Sequence, residues 1–403
     1  MPGREASRRG VRQWRNALLV AFALGGFALS SWATRLPALR EDLALDNAQL
    51  GLVLLAPTIG SAVGLVGAPA LLRLLGARTA LLVTVVAMSV GMIVAGGGAG
   101  AASVPVFFAG LGIAGFGVGA TDILINIDGA AVERLAHRSL LPLLHAAWPA
   151  GAVVGAGVGA VCAAAGVAPS VQLIALALIV LVAGVLMVRA VPAGSRGLRR
   201  RYGTTSGLRR RAGSVLDPRL VAIGAVMFAA EFGEGAANSW LSVAVRDAFG
   251  QPDAFAAGVV GVYAAAQVVI RVAGGPLVDR FGRVRVIRVT MGLGAAGVLL
   301  MVLDLGTAPG VAGIVLWSVG VSMGFPLGMS AAAEGPGGAA RVSVVGSLGY
   351  IANLVSPPLI GFLASGFDIL TAFWPLVGLF VVSVLLAPAL RPLRDAPGPA
   401  PGR

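Results

Sequence analysis

The sequence predicts an all-α membrane protein. Twelve spanning helices form two pseudo-symmetric six-helix bundles, with both termini on the cytoplasmic side. Three observations carry this. The 403 residues are 57% hydrophobic and only 12% charged, about half the charge of an ordinary soluble domain. Apolar runs long enough to cross ~30 Å of hydrocarbon recur along the whole chain. The two halves of the chain also repeat one another at a nearly fixed offset.

The runs fall at 16–35, 48–70, 79–100, 104–126, 140–165, 168–189, 219–241, 254–277, 284–303, 309–331, 342–364 and 369–389. Lipid offers a backbone no hydrogen-bond partner, so each run must be a helix or a strand of a closed barrel. Their length, and the lack of ~10-residue alternation, selects helices. The first run follows Arg4, Arg8, Arg9, Arg12 and Arg15, as a secretory signal would. Its length and the runs behind it identify an uncleaved first helix. The expected organisation is a cytoplasmic tail over 1–15, bundles over 16–189 and 219–389, an Arg-rich linker over 190–218, and a second cytoplasmic tail over 390–403.

All 30 basic residues are arginine, and the net charge is +13. With the N-terminus inside, the outward loops hold only Arg35, Arg40 and Arg246, and Arg271 lies within the eighth run. The rest fall on the cytoplasmic side, a strong positive-inside bias. That charge belongs at lipid headgroups, which excludes nucleic acid as partner. The linker arginines, from Arg196 to Arg211, suit a tether lying on anionic lipid. Cys162 is the only cysteine, so no intrachain disulfide can form. His137 and His145 are too few for a histidine-built metal site, and no cofactor is expected. Gly151, Gly155 and Gly159 form a ridge for close helix packing.

In the repeat, Ser31-Trp32 matches Ser239-Trp240, Arg40-Glu41 matches Arg246-Asp247, Gly76 matches Gly282, and Pro149 matches Pro357. Parallel repeats about an axis along the membrane normal build transporters whose substrate site lies between the halves, near the midplane.

After the eighth run the chain reads Gly275-Pro276-Leu277-Val278-Asp279-Arg280-Phe281-Gly282-Arg283. This resembles, position for position, the G-x-L-x-D-R-x-G-R cytoplasmic loop of the major facilitator superfamily. The resemblance implies a gate built from Gly275, Asp279, Arg280, Gly282 and Arg283, with Arg271 close by. A glycine there lets two helices pack closely, and the aspartate is favoured by a helix N-terminus and an arginine. Breaking the cluster would open the cytoplasmic side. The equivalent loop after the second run, Gly67 to Arg78, lacks the acid, so the first half must be held differently. The fourth run, Leu111 to Gly119, resembles the superfamily's glycine-rich motif, but Leu111 stands where drug–proton antiporters carry arginine. Asp122 to Asn126, His145 to Trp148 and Glu234 to Ala236 look like the YbjJ-like bacterial branch, related to fucose-permease-like proton symporters.

An ionisable group inside the bilayer is costly and is a functional candidate by default. Asp122 and Asn126 are four apart, His145 and Trp148 three apart, and Gln267 and Arg271 four apart. Glu231, Glu234 and Asn238 share one face as well. At 1.5 Å per residue, Glu231 lies ~18 Å and Asn353 ~17 Å into their runs, near the midplane. Plainer readings stand beside these. Glu231 or Glu234 could pair with an arginine for structure, and Asp122 with a loop arginine. His145 could bond a helix carbonyl, and Trp32 and Trp148 could pack or anchor at the interface.

The expectation is a monomeric secondary transporter of a small polar solute in the bacterial inner membrane, driven by the proton gradient. No G-x-x-x-x-G-K-[ST] loop is present to use ATP. A carboxylate withdrawn from water can hold a proton at neutral pH, which nominates Glu231, then Glu234 and Asp122. Asn126, His145, Trp148, Asn238, Gln267 and Asn353 would contact the solute. The alternatives are a proton-driven exporter of a sugar-like, amino-acid-like or toxic metabolite, and a non-transporting sensor or scaffold. An embedded enzyme is disfavoured because no nucleophile–base or metal signature occurs.

Reporter fusions check the topology. A fluorescent protein should mature at both termini, and alkaline phosphatase should be active when inserted in the outward loops, as near residues 44, 166, 250 and 305, and inactive in the loops on the other face. Termini on opposite sides would overturn the even number of crossings.

Overall fold

The computed structural model describes residues 2–136, 140–191, 217–334 and 338–393, all helix or short connection. Most of the expected linker and most of the C-terminal tail lie outside the described residues, as does His137. Twelve helical stretches are long and apolar enough to cross a membrane, and they fall at the twelve expected runs.

In the first half, α1 spans Pro2–Ala33 and starts upstream of the expected run. Its membrane-suited part is Gly10–Ala33. A short α2, Leu36–Asp42, which the hydropathy does not reveal, lies between the first two spans with Leu36 and Leu39 buried. The second span is broken at Leu54 into α3, Asn47–Val53, and α4, Leu55–Leu75. Then follow α5, Ala77–Gly100; α6, Val104–Ala136; α7, Leu141–Ala164; and α8, Pro169–Arg189.

The second half holds α9, Pro218–Phe249; α10, Asp253–Phe281; and α11, Arg283–Val302. Its tenth span is broken into α12, Thr307–Val321, and α13, Gly324–Ala332. The last two spans are α14, Gly338–Gly366, and α15, Trp374–Leu386, the latter flanked by single 3-10 turns. With an even number of crossings, the last span ends on the face where the first begins, called below the terminal end.

Small residues set the helix spacing. A Cβ added at Gly151 would lie 1.9 Å from the Ala23 carbonyl oxygen, and one at Gly155 would lie 2.4 Å from that of Phe27. The glycine ridge of α7 is therefore the surface against which α1 lies. Facing outward, α8 exposes Val171, Leu178, Val182 and Leu186. An apolar stripe of this kind is comfortable against lipid, not water. The repeat is visible in the backbone as well. Gly76 and Gly282 end α4 and α10 at φ 79° and 76°, a left-handed cap that only glycine adopts without strain.

The halves meet closely at the end opposite the termini. A Cβ on Gly51 of α3 would lie 3.2 Å from the Gly361 Cα of α14. Past the break at Leu54, α4 touches α14 only sparingly, so these helices diverge toward the terminal end. Arg40 donates to both Asp247 carboxylate oxygens at 2.6 and 3.0 Å, and to Asn47 Oδ1 at 2.8 Å. Arg246 pairs with Glu41, and its Nε lies 3.2 Å from Asp253. The repeat has thus produced reciprocal pairs, each arginine reaching the acid of the other half while touching the first turn of its own next span. Ser242 Oγ adds a bond to the Ala33 carbonyl at 2.9 Å.

At the terminal end the ion pairs found stay within the second half. Glu334 takes Arg283 and Arg219, and Arg341 takes Asp217. Hydrogen bonds from Arg341 and the Leu220 N–H hold Asp217 below the usual carboxylate range. Burial pushes Glu334 up, but Arg283 and the Leu393 N–H outweigh it and bring it below that range.

Spin labels at Ala168 and Leu305, with Cys162 replaced by serine, test the reciprocal pairs. Arg40→Asp should broaden and lengthen the distance across this end, and adding Asp247→Arg should restore it. An unchanged distance in Arg40→Asp would mean the pairs do not hold the halves.

Candidate functional site

The polar residues picked out by spacing fall into two clusters that face each other across the plane between the halves. In the first half, α6 presents Asp122 and Asn126 one turn apart. Asn126 Nδ2 donates to the Asp122 carbonyl at 2.8 Å and to its Oδ1 at 3.2 Å. Asn126 Oδ1 lies 3.0 Å from His145 Nε2 of α7. An amide oxygen only accepts, so this contact assigns the proton to Nε2. The imidazole leans on the Phe22 ring, with centroids 5.0 Å apart.

In the second half, α9 presents Glu231 near its middle, with Glu234 and Asn238 further along the same face. Asn353 of α14 donates to Glu231 Oε2 at 2.8 Å. Arg271 of α10 donates to both Glu234 oxygens, at 2.9 and 3.2 Å. Glycines make the room. A Cβ on Gly349 would press within 3.1 Å of Glu231 Cγ, and one on Gly235 would lie 2.8 Å from Asn353 Oδ1.

A narrow cleft adjoins the second cluster at Glu234 and Asn238. Gly26, Ser30, Trp148 and Ala152 line it from the first half, and Glu234, Asn238, Tyr263 and Gln267 from the second. Ser30 Oγ is buried there without a hydrogen-bond partner among the described residues, and Tyr263 Oη lies close to the Gln267 amide. These hydroxyl and amide groups give the wall its polar character.

Arg271 does not join the loop gate as expected. Its guanidinium is taken up by Glu234 inside the bundle. It sits two turns deep, where an acid within reach outweighs one in the loop. Of the motif itself, Asp279 is exposed, Gly275 is exposed, and Arg280 lies over the Phe281 ring with 5.4 Å to its centroid. Gly282 closes α10, and Arg283 binds Glu334 and Ser330 Oγ, the latter at 3.0 Å.

Three features escaped the sequence reading. Tyr350 donates to Asp122 Oδ2 at 3.3 Å, from the opposite half. It is three residues from Asn353 on one helix face, which was a usable signal. Tyr263 lines the cleft from α10. Asp128 of α6 is 1% exposed, and its Oδ2 has no partner among the described residues. It lies six residues beyond Asp122, close to Trp14 of α1.

The sequence model of the Major Facilitator Superfamily matches residues 17–340 and, in a second match, 223–403. An uncharacterized transporter, y4wD of Sinorhizobium fredii, is 30% identical over 389 residues, covering 95% of this chain and all of the relative. Among solved structures, the nucleoside transporter NupG superposes with a TM-score of 0.72 at 16% identity, over 94% of this chain and 98% of its own. The E. coli Fucose:proton symporter FucP gives 0.65 at 17% identity, over 94% and 98%. At these identities the two structures speak for the fold.

The Arg271–Glu234 pair keeps about a fifth of its side-chain exposure. Arg271→Met alone should cost about 2 kcal/mol, below the 3–5 kcal/mol of a dry pair, and should lower the apparent Tm in detergent. Combining it with Glu234→Gln should recover most of the loss. A single variant as stable as the double would show that the pair contributes nothing.

Proposed function

We propose, from the premise that this chain belongs to the Major Facilitator Superfamily, that it is a proton-coupled secondary transporter of a small polar solute. Membership makes it a multi-pass membrane transporter and not an enzyme. The proton and the polarity of the solute rest on the cleft. The bundles 16–189 and 219–389 are the moving bodies of alternating access in a single chain, in the inner membrane of a bacterium. Within the superfamily we assign it to the YbjJ-like branch.

The observation that carries the reading is the unequal treatment of two neighbouring carboxylates. Glu234 is held by a guanidinium, whereas Glu231 accepts a hydrogen bond from the neutral Asn353 amide. A carboxylate in a low-dielectric cleft must be paired, hydrogen-bonded or protonated. Glu231 is the one left to exchange a proton, with Glu234 and Asp122 as secondary acids. Asn238, Gln267 and Trp148 line the cleft and would contact the solute. Asn126, His145 and Asn353 would act from its two polar walls. Nucleoside and fucose, the cargoes of the two fold neighbours, are polar solutes of the kind this lining suits. Asp279 and its loop would close the cytoplasmic face in the opposite state. In this state Asp279 is exposed, and α4 and α14 diverge toward its end.

A thermal-shift screen identifies a ligand, because binding to the native state raises apparent stability. Uptake into proteoliposomes with an imposed pH gradient then tests the coupling. Glu231→Gln should reduce gradient-driven accumulation at least tenfold while exchange of internal for external solute continues. Accumulation that survives this change removes Glu231 as carrier.

A further inference from the structure

We propose that Tyr350 is a positioning residue that ties the two halves together on the terminal side of the polar site, and that this tie depends on the charge of Asp122. The inference rests on the alternating-access reading above and adds to it a cross-half contact and the group that controls it.

The contacts at the opposite end are heavy, with two ion pairs and close glycine packing. Away from that end, a side-chain bond joins the halves from Tyr350 of α14 to Asp122 of α6. Its position is informative. Tyr350 precedes Asn353 by three residues, so it lies ~4.5 Å nearer the terminal end than the Glu231–Asn353 contact. A tie there stands between the polar cleft and the terminal face. Its length of 3.3 Å exceeds the usual O–H···O distance of roughly 2.5–3.0 Å.

On α14, Gly349 and Ala352 are buried, whereas Tyr350 is 45% and Ile351 47% exposed. Asp122 divides its oxygens between the halves, Oδ1 taking Asn126 and Oδ2 taking Tyr350. A hydroxyl bound to a carboxylate makes a charge-assisted bond, roughly twice as strong as one to a neutral acceptor. A proton on Asp122 therefore weakens the tie and leaves Asn126 to keep the acid in its own half. Proton arrival and parting of the terminal side become one event.

Other titratable groups face this pair. His145 reaches Asp122 through Asn126, Glu231 lies close enough to Tyr350 to interact by charge, and Arg271 acts in the same way on His145. Glu234 is the partner of Arg271. The test must separate Asp122 from these.

Spin labels at Arg73 and Arg285, in a chain with Cys162 replaced by serine, report the width of the terminal end in liposomes without any solute. In the otherwise unaltered chain, lowering the pH from 8 to 5 should shift the population ratio toward the parted form at least fivefold. Tyr350→Phe, which keeps the ring, should be parted at both pH values, its ratio changing less than twofold. Asp122→Asn should match it, and His145→Gln should retain the pH response. The label pair at Ala168 and Leu305 should be unaltered in Tyr350→Phe, which excludes a folding defect. A Tyr350→Phe variant with the original pH response overturns the proposal, as does loss of the response in His145→Gln alone. Distances fixed at both ends, even in Arg40→Asp, would overturn alternating access and this proposal with it.

Discussion

Hydrocarbon supplies no hydrogen bonds, and every polar atom that crosses it must find a partner inside the protein. This constraint orders the molecule. The backbone meets it by closing into helices. The helices approach closely because glycine and alanine line their contacts, as where Gly151 and Gly155 admit the carbonyls of Ala23 and Phe27. The polar side chains meet it by gathering at the plane between the halves, where they bind one another or face a cleft. Ser30, Tyr263 and Gln267 bring such polar atoms to the cleft wall.

Duplication supplies the second level of order. Two related bundles can exchange contacts at one face for contacts at the other without either being rebuilt, since each keeps its own glycine-packed core. The paired left-handed caps at Gly76 and Gly282 show how closely the repeat is kept. Only the second of these loops retains an acid, Asp279, so the two halves have similar geometry and different chemistry. The same holds at the midplane. Asn353 and His145 occupy related places, yet one serves Glu231 and the other is joined to Asn126.

Much of the fold was legible because hydropathy and helix length are one-dimensional properties. Twelve runs gave twelve spans, although α1 begins well before its run and α6 and α9 continue well past theirs. The failures have local causes. The short α2 is a single amphipathic turn or two between spans, too brief to register as a run. The site was legible as a set of residues but not as a set of pairs. Arg271 was expected beside Asp279 because the two are eight residues apart on one helix, whereas its real partner, Glu234, comes from the neighbouring helix. Tyr350 was passed over although it stands three residues from Asn353, because the spacing shows a shared face and not the partner. Its role depends on how closely α14 approaches α6, which no sequence pattern encodes.

The reciprocal ion pairs have a consequence for the cost of switching. Each arginine in them holds a companion from its own bundle, Asn47 for Arg40 and Asp253 for Arg246. When the bundles separate at that face, neither cation is abandoned, and water reaches the released acids directly. The barrier on that side is therefore a trade of one hydration or pairing arrangement for another. Because these charges border bulk electrolyte, where screening acts over about 8–10 Å, the resting preference between the two faces becomes a function of the ionic strength on that side of the membrane.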